Sequence, residues 1–219
     1  TNLLDMGKGD AIVVVASDLH EEAPVWWLRV KAATERGAAL IVMNGRGTRL
    51  DKYATASLRP VYGEEIATLN AMLGAIKPAK GVSTDGLDEA IKNAQASKAD
   101  KDAKAAAELV AEANNVIVFV GSEGLDGPAA DELAQSAANL LVATGHVGRP
   151  NNGLILVWPT ANGQGASDMG LRPDYLPGYQ PVEKAGMGYE GILAALGKGK
   201  LKALYIAGSD PVFDDAVAE

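Results

Sequence analysis

Ala11-Ile-Val-Val-Val15, followed by Ala16-Ser17-Asp18, is the stretch that decides the fold. Five apolar residues in succession, without polar alternation, describe a strand buried on both faces, the pattern of a parallel sheet covered by helices. The same grammar returns twice: Val116-Ile-Val-Phe-Val120 before Gly121-Ser122-Glu123, and Ala203-Leu-Tyr-Ile-Ala207 before Gly208-Ser209-Asp210. Pro24, Pro128 and Pro211 stand near the start of the segments that follow. A missing N–H costs nothing there, because the first donors of a helix have no intrahelical partner. The reading is a repeated strand-loop-helix unit in a three-layer α/β/α arrangement with largely parallel sheets. In such sheets ligands sit at the carboxyl ends of the strands, against helix N-termini.

Working outward, residues 10–81 read strand, helix, strand, loop, helix. The first helix spans about 24–36 and stops at Gly37. Within it Trp26 and Trp27 are adjacent, so one is expected to face the core and the other to point elsewhere. The second strand, Ala39 to Met43, ends in the basic loop Asn44-Gly45-Arg46-Gly47-Thr48-Arg49, and a helix follows over about 64–76. Residues 80–115 are rich in Ala, Lys and Asp and lack strand character, so a peripheral helical insertion is expected there, with a helix over 102–113. Strand and helix resume over 116–144. A glycine-rich stretch from Gly145 to Gly188, a helix over 189–196 and the third strand close the chain. The expected division is an α/β domain over residues 1–144, then a glycine-rich connection and the start of a second α/β unit over 145–219.

The bulk numbers exclude several classes of function. With 219 residues, 47% of them hydrophobic, the chain has the means to bury a full core. A net charge of −8 argues against nucleic acid and anionic membrane surfaces as partners, since phosphate contacts need clustered Lys and Arg. The lysines between Lys92 and Lys104 are interleaved with Asp and Ala and read as a solvated helix face. No apolar run reaches the ~20 residues that span a bilayer, and no signal segment opens the chain, so a cytoplasmic location without membrane insertion is expected. The absence of cysteine removes thiol catalysis and thiolate-held iron–sulfur clusters from this stretch, and two distant histidines, His20 and His146, do not suggest a zinc site. Opening on Thr1 and stopping soon after the third strand end, the chain reads as an internal fragment of something longer.

The most specific words are Ala143-Thr-Gly-His-Val-Gly-Arg-Pro-Asn-Asn-Gly153 and Asn162-Gly-Gln-Gly-Ala-Ser-Asp-Met-Gly170. They resemble the molybdopterin oxidoreductase family, in which a Thr-Gly-Asn-Ile-Gly-Arg-Pro turn precedes an Asn-x-Gln-Gly-x-x-Asp-Met-Gly loop. Leu171 to Tyr179 continues in the family manner, and Ala203 to Pro211 is similar to its Leu-Tyr-x-x-Gly-Glu-Asn-Pro strand end. Upstream, Ile12 to Pro24 resembles the family's Gly-Ser-Asn-Pro region, and Ile41 to Arg49 its Asp-Pro-Arg turn. Within the family the wording is most similar to the large G subunits of NADH:quinone oxidoreductase, respiratory complex I.

What the resemblance implies about cofactors is set by position. Active members hold molybdenum or tungsten between two molybdopterin guanine dinucleotides laid across the strand-end loops. Matched onto this chain, the cofactor-binding positions are Ser17, Asp18, Asn44, Arg46, Gly145, His146, Asn162, Gln164, Gly165, Asp168, Ser209 and Asp210. Several differ from the family pattern. Asp18 replaces an Asn, exchanging a group that donates for one that only accepts; Asn44 replaces an Asp, and Val61-Tyr62-Gly63-Glu64 loses a threonine hydroxyl. Trp158 stands where active members place a basic residue near the metal, and an indole cannot stabilise an anionic substrate in that role. Asp18, Glu123 and Asp210 read first as helix caps, and His146 as a hydrogen-bonding loop residue.

The expectation is a vestigial molybdopterin site, with no catalytic residue, metal or cofactor in this fragment. The resemblance places iron–sulfur clusters in an N-terminal part of the parent, passing electrons from NADH toward quinone. The fragment is then a scaffold in the peripheral arm at the inner face of the plasma membrane, with the other subunits of the complex and the rest of its own chain as partners. The alternative is a fragment of an active molybdopterin guanine dinucleotide-dependent oxidoreductase such as a formate dehydrogenase.

Overall fold

The structure is a computed structural model and describes residues 3–83, 85–96, 99–125 and 127–207. Its centre is a five-stranded parallel sheet of β1 (Ala11–Val15), β2 (Ala39–Met43), β3 (Ala56–Leu58), β4 (Val116–Val120) and β5 (Gly153–Leu156), in the order β3-β2-β1-β4-β5. In register, Val13 lies opposite Ile41 on one side and Val118 on the other. Every residue of β1 and β4 is buried, as their uninterrupted apolar runs require.

Alternate side chains feed two cores because successive strand residues point to opposite faces. Ala11, Val13 and Val15 join a core with Val116, Val118 and Val120, covered by α3 (Glu65–Ala75), α4 (Asp88–Ala96), α5 (Lys101–Glu112) and α6 (Gly127–Ala143). Ile12, Val14, Ile117 and Phe119 turn the other way, beneath α1 (Leu19–Glu22) and α2 (Pro24–Glu35), which contribute Leu19, Val30 and Ala33. Both tryptophans of α2 pack inward: Trp26 lies 5.5 Å from the Phe119 ring, and Trp27 meets His20 at 5.2 Å and Tyr53 at 6.5 Å. The expectation that one would point elsewhere is corrected.

The Ala-rich region is not peripheral either. Ala103, Ala106, Ala107 and Val110 of α5 are buried in the main core, and Asp100 caps the helix by accepting from the Ala103 amide at 2.7 Å. Small side chains let backbones approach, which compensates for the little area each buries. The extreme case is Gly74 of α3, where a Cβ would lie 2.2 Å from the Ala94 carbonyl oxygen of α4.

The described chain forms two compact units, Thr1–Thr160 and Ala161–Glu219. The sheet continues past residue 144, since β5 is its edge strand. In the second unit lie α7 (Gly163–Asp168), an antiparallel pair of β6 (Tyr175–Leu176) and β7 (Gln180–Pro181), and α8 (Tyr189–Gly197). The third strand expected at 203–207 is absent: those residues carry no strand, and Leu204, Tyr205 and Ile206 are exposed. Strand geometry needs a neighbouring ladder to satisfy its backbone groups, and no described segment supplies one there. Ser209, Asp210 and Pro211, the expected turn after that strand, lie outside the described residues.

Candidate functional site

The strand order reverses direction between β1 and β4, and the loops leaving their carboxyl ends face each other across that point. Gly121 permits their approach: a Cβ there would lie 2.2 Å from the Ala16 carbonyl oxygen and 2.7 Å from the Ser17 Cβ. Ala16 itself turns through the left-handed region, with φ of 48°, to swing Ser17 and Asp18 above the sheet.

Arg46, from the loop after β2, reaches across this crevice. Its Nε and Nη2 donate to the two carboxylate oxygens of Glu123 at 2.5 and 3.2 Å, and its Nη1 donates to Asp18 at 3.0 Å. Glu123 also accepts from the Asn44 amide at 3.0 Å and the Tyr62 hydroxyl at 3.1 Å. The Asn44 side-chain oxygen turns back to accept from the Arg46 backbone N–H at 3.0 Å, setting the loop from which the guanidinium projects. Asp18 has a second duty as the cap of α1, accepting from the His20 amide at 3.1 Å. Ser17 donates to Glu22.

Ser17, Asp18, Asn44 and Arg46 are thus brought together, and the residue that organises them is Glu123. Its acid was legible at a strand end, but its pairing with a residue 77 positions away was not. Burial would raise the Glu123 pKa, but the donors Arg46, Asn44 and Tyr62 outweigh it and hold the pKa below its ordinary 4.5. Glu22 moves the other way. Burial raises its pKa against the Ser17 hydrogen bond, and the neighbouring charges of Glu123 and Asp18 add to the rise.

Gly145 and His146 are elsewhere, at the amino edge of the sheet. His146 is buried; its Nε2 donates to the Ala113 carbonyl at 3.0 Å, and Nδ1 lies 2.8 Å from Thr144 Oγ1. Burial pushes its pKa down despite the Ala113 contact, with the Arg149 charge adding to the effect, so the ring is neutral at pH 7. Around it runs a belt of amide bonds. Asp10 accepts from Asn115 at 2.8 Å, Asn115 from Asn152 at 2.8 Å, and Asn152 from the Val116 N–H at 2.9 Å.

In the second unit Asn162, Gln164, Gly165 and Asp168 sit on or beside α7. The Gln164 Nε2 donates to Asp168 at 2.8 Å and to the Tyr179 hydroxyl at 2.7 Å, while that hydroxyl donates to Asp168 at 2.7 Å. These donors, Tyr179 first, hold the Asp168 carboxyl below its ordinary range. Asn162 precedes the helix without capping it, and its side-chain oxygen lies against the α-carbon of Gly165, 2.3 Å from where a Cβ would stand. Trp158 follows β5 in the first unit and lines a cavity of about 160 Å³ with Val120, Leu156 and Pro159.

Among the described residues no group of three or more His, Cys, Asp or Glu side chains is placed to hold a metal ion, and no helix is long and apolar enough to cross a membrane. A doubly wound parallel sheet with polar loops gathered at its switch point defines a class of ligand-binding α/β proteins. The chain belongs to the molybdopterin oxidoreductase family, whose model matches residues 1–218. It is 30% identical over 243 aligned residues to the NADPH-Fe(3+) oxidoreductase subunit alpha of Geobacter sulfurreducens, covering 97% of this chain and 29% of that one. A formate dehydrogenase subunit alpha of Methanococcus maripaludis is 27% identical over 98% of this chain and 36% of its own. A large G subunit of the NADH-quinone oxidoreductase of Rhizobium meliloti is 28% identical over 94% of this chain and 26% of its own. The chain therefore spans about a third or less of the length of these relatives. Acetylene hydratase from Pelobacter acetylenicus shares the fold, with a TM-score of 0.54 and 18% identity over 66% of this chain and 22% of that one.

Proposed function

We propose that this chain is part of the large subunit of a multi-subunit, pyridine-nucleotide-dependent electron-transfer oxidoreductase, of the kind represented by the large G subunits of NADH-quinone oxidoreductase. In this reading it is a structural scaffold whose strand-end crevice no longer holds a molybdopterin guanine dinucleotide. The observation that carries it is the Arg46 clasp. A dinucleotide brings a diphosphate, which needs free N–H and cationic groups. The crevice instead gathers three carboxylates, Asp18, Glu22 and Glu123, around a single guanidinium already shared between two of them. That donor set does not fit a polyphosphate, and we route no reaction through the cofactor. Trp158 in an apolar cavity supports the same reading. Electron transfer then belongs to iron–sulfur clusters held elsewhere in the parent, and the partners are its other subunits at the inner face of the plasma membrane.

The rival is a fragment of an active enzyme of the formate dehydrogenase kind. The Gln164–Asp168–Tyr179 triad favours it, because an ordered polar loop survives where a pterin would be held. The test is elemental analysis for molybdenum and tungsten on the purified full-length parent, with fluorescence of any released pterin. Iron without either metal or pterin is the expected result. Stoichiometric molybdenum or tungsten with pterin would replace the scaffold reading with its rival.

A further inference from the structure

On the helical side of the first unit, α3, α4 and α6 leave a groove of about 330 Å³. One wall is a single helical stripe, Glu132, Gln135, Ser136 and Asn139, at spacings that put all four side chains on one face of α6. Glu89 and Asn93, one turn apart on α4, make the other wall, and Asn70 of α3 joins them.

The chemistry of this lining is unbalanced. It carries two carboxylates, four carboxamides and a hydroxyl, and no Lys or Arg among the described residues. None of these seven side chains has a hydrogen-bond or ion-pair partner among the described residues. For exposed residues that is ordinary, because water serves them. Ser136 is different: it is only 5% exposed, and its hydroxyl bonds neither to the preceding turn of its own helix nor to a neighbour. A hydroxyl held nine-tenths out of water, on the floor of a groove and without a partner, is a group waiting for one.

We propose that this groove is a docking socket for an arginine side chain presented by a basic segment of a partner chain. The lining accepts more than it donates and is net negative, which selects a cation with several donors. A planar guanidinium, with five N–H groups in a fixed fork, matches carboxylates on two walls and a hydroxyl below better than a compact ammonium does. Free small ligands are usually held in enclosed and mainly apolar pockets. This groove is polar and open, as a socket for a side chain carried by another surface would be, and Arg is enriched at protein interfaces. The inference does not depend on the strand-end crevice.

The test follows the side-chain amide signals of Asn70, Asn93, Gln135 and Asn139 by NMR during titration of the full 219-residue chain. The probes are L-arginine amide, L-lysine amide and the uncharged isostere L-citrulline amide. Expected are saturable shifts with arginine amide in the millimolar range, weaker ones with lysine amide and none with citrulline amide. Glu89→Gln with Glu132→Gln should weaken arginine about fivefold, the range for two partly exposed charges, and both substitutions sit on solvated helix faces where folding is not at risk. Ser136→Ala, which removes only the hydroxyl, should weaken it about twofold to fivefold. No shift, an equal response to citrulline, or an unchanged response in the double variant would overturn the proposal. Micromolar binding of the free amino acid amide would also overturn it, in favour of a small-molecule site.

Discussion

At the amino edge of the sheet, Asp10, Asn115 and Asn152 pass hydrogen bonds along a belt that ends on the Val116 N–H, with the neutral His146 ring close by. At the carboxyl edge the same strands end in charges: Asp18 and Glu123 share Arg46, with Glu22 left over. Both ends stitch sequence-distant loops together, but their costs differ. The amide belt satisfies buried backbone with neutral groups and asks for no counter-charge. The carboxyl edge holds an excess of acids in one place, a poor arrangement for stability alone and a worse one for binding phosphate. A sheet end retained purely for architecture would be expected to look like the amino edge. The charged edge is the one where family members lay their cofactor, and its geometry reads as an inherited crevice closed from within.

The comparison can be broken most severely at Gly121. Ala in its place would drive a Cβ into the Ala16 carbonyl, and a loss of about 3 kcal/mol in denaturant unfolding is expected, because backbone on both sides must move. At the other edge, Asn152→Ala deprives the Val116 N–H of its acceptor and should cost about 2 kcal/mol, read as a lowered denaturation midpoint with unchanged slope. Glu123→Ala should cost less, about 1 kcal/mol, since Arg46 is half-exposed and water takes over part of the lost bonding. That variant should also gain a stabilisation by added phosphate that the unaltered chain lacks, visible as a shift in melting temperature.

The smallest effect sharpens the comparison through pH. Glu22 has a raised folded-state pKa, so its ionisation is harder in the folded than in the unfolded chain, and stability falls as pH climbs from 4.5 through that raised value. Glu123, with a depressed pKa, contributes the reverse: stability present above 4.5 and lost as pH falls through its folded value. Glu22→Gln should therefore raise the melting temperature slightly at pH 7 and leave it unchanged below pH 4. A variant that melts lower than the unaltered chain at pH 7 would show that the Glu22 charge is needed rather than tolerated.

How far the fold could be read from sequence depended on burial. β1, β2 and β4 lie inside the sheet, and their apolar runs announce them. β3 has only three residues and β5 is half-exposed at an edge, so neither leaves an uninterrupted block. The segment at 203–207 has the composition of a buried strand but no ladder among the described residues, a tertiary fact that composition cannot carry. α5 was visible as a helix, yet its depth in the core was not, because alanine pattern alone does not tell a solvated helix from a closely packed one. At the candidate site, the acids at strand ends were legible. Their common partner was not, since nothing local ties Arg46 to Glu123.

The central claim is that the charged edge of the sheet does not take a nucleotide diphosphate, and calorimetric titration of the chain with guanosine diphosphate tests it most directly. The account predicts no saturable heat for the unaltered chain and measurable binding once Asp18→Asn and Glu123→Gln release Arg46. Saturable micromolar binding by the unaltered chain, abolished by Arg46→Ala, would contradict it.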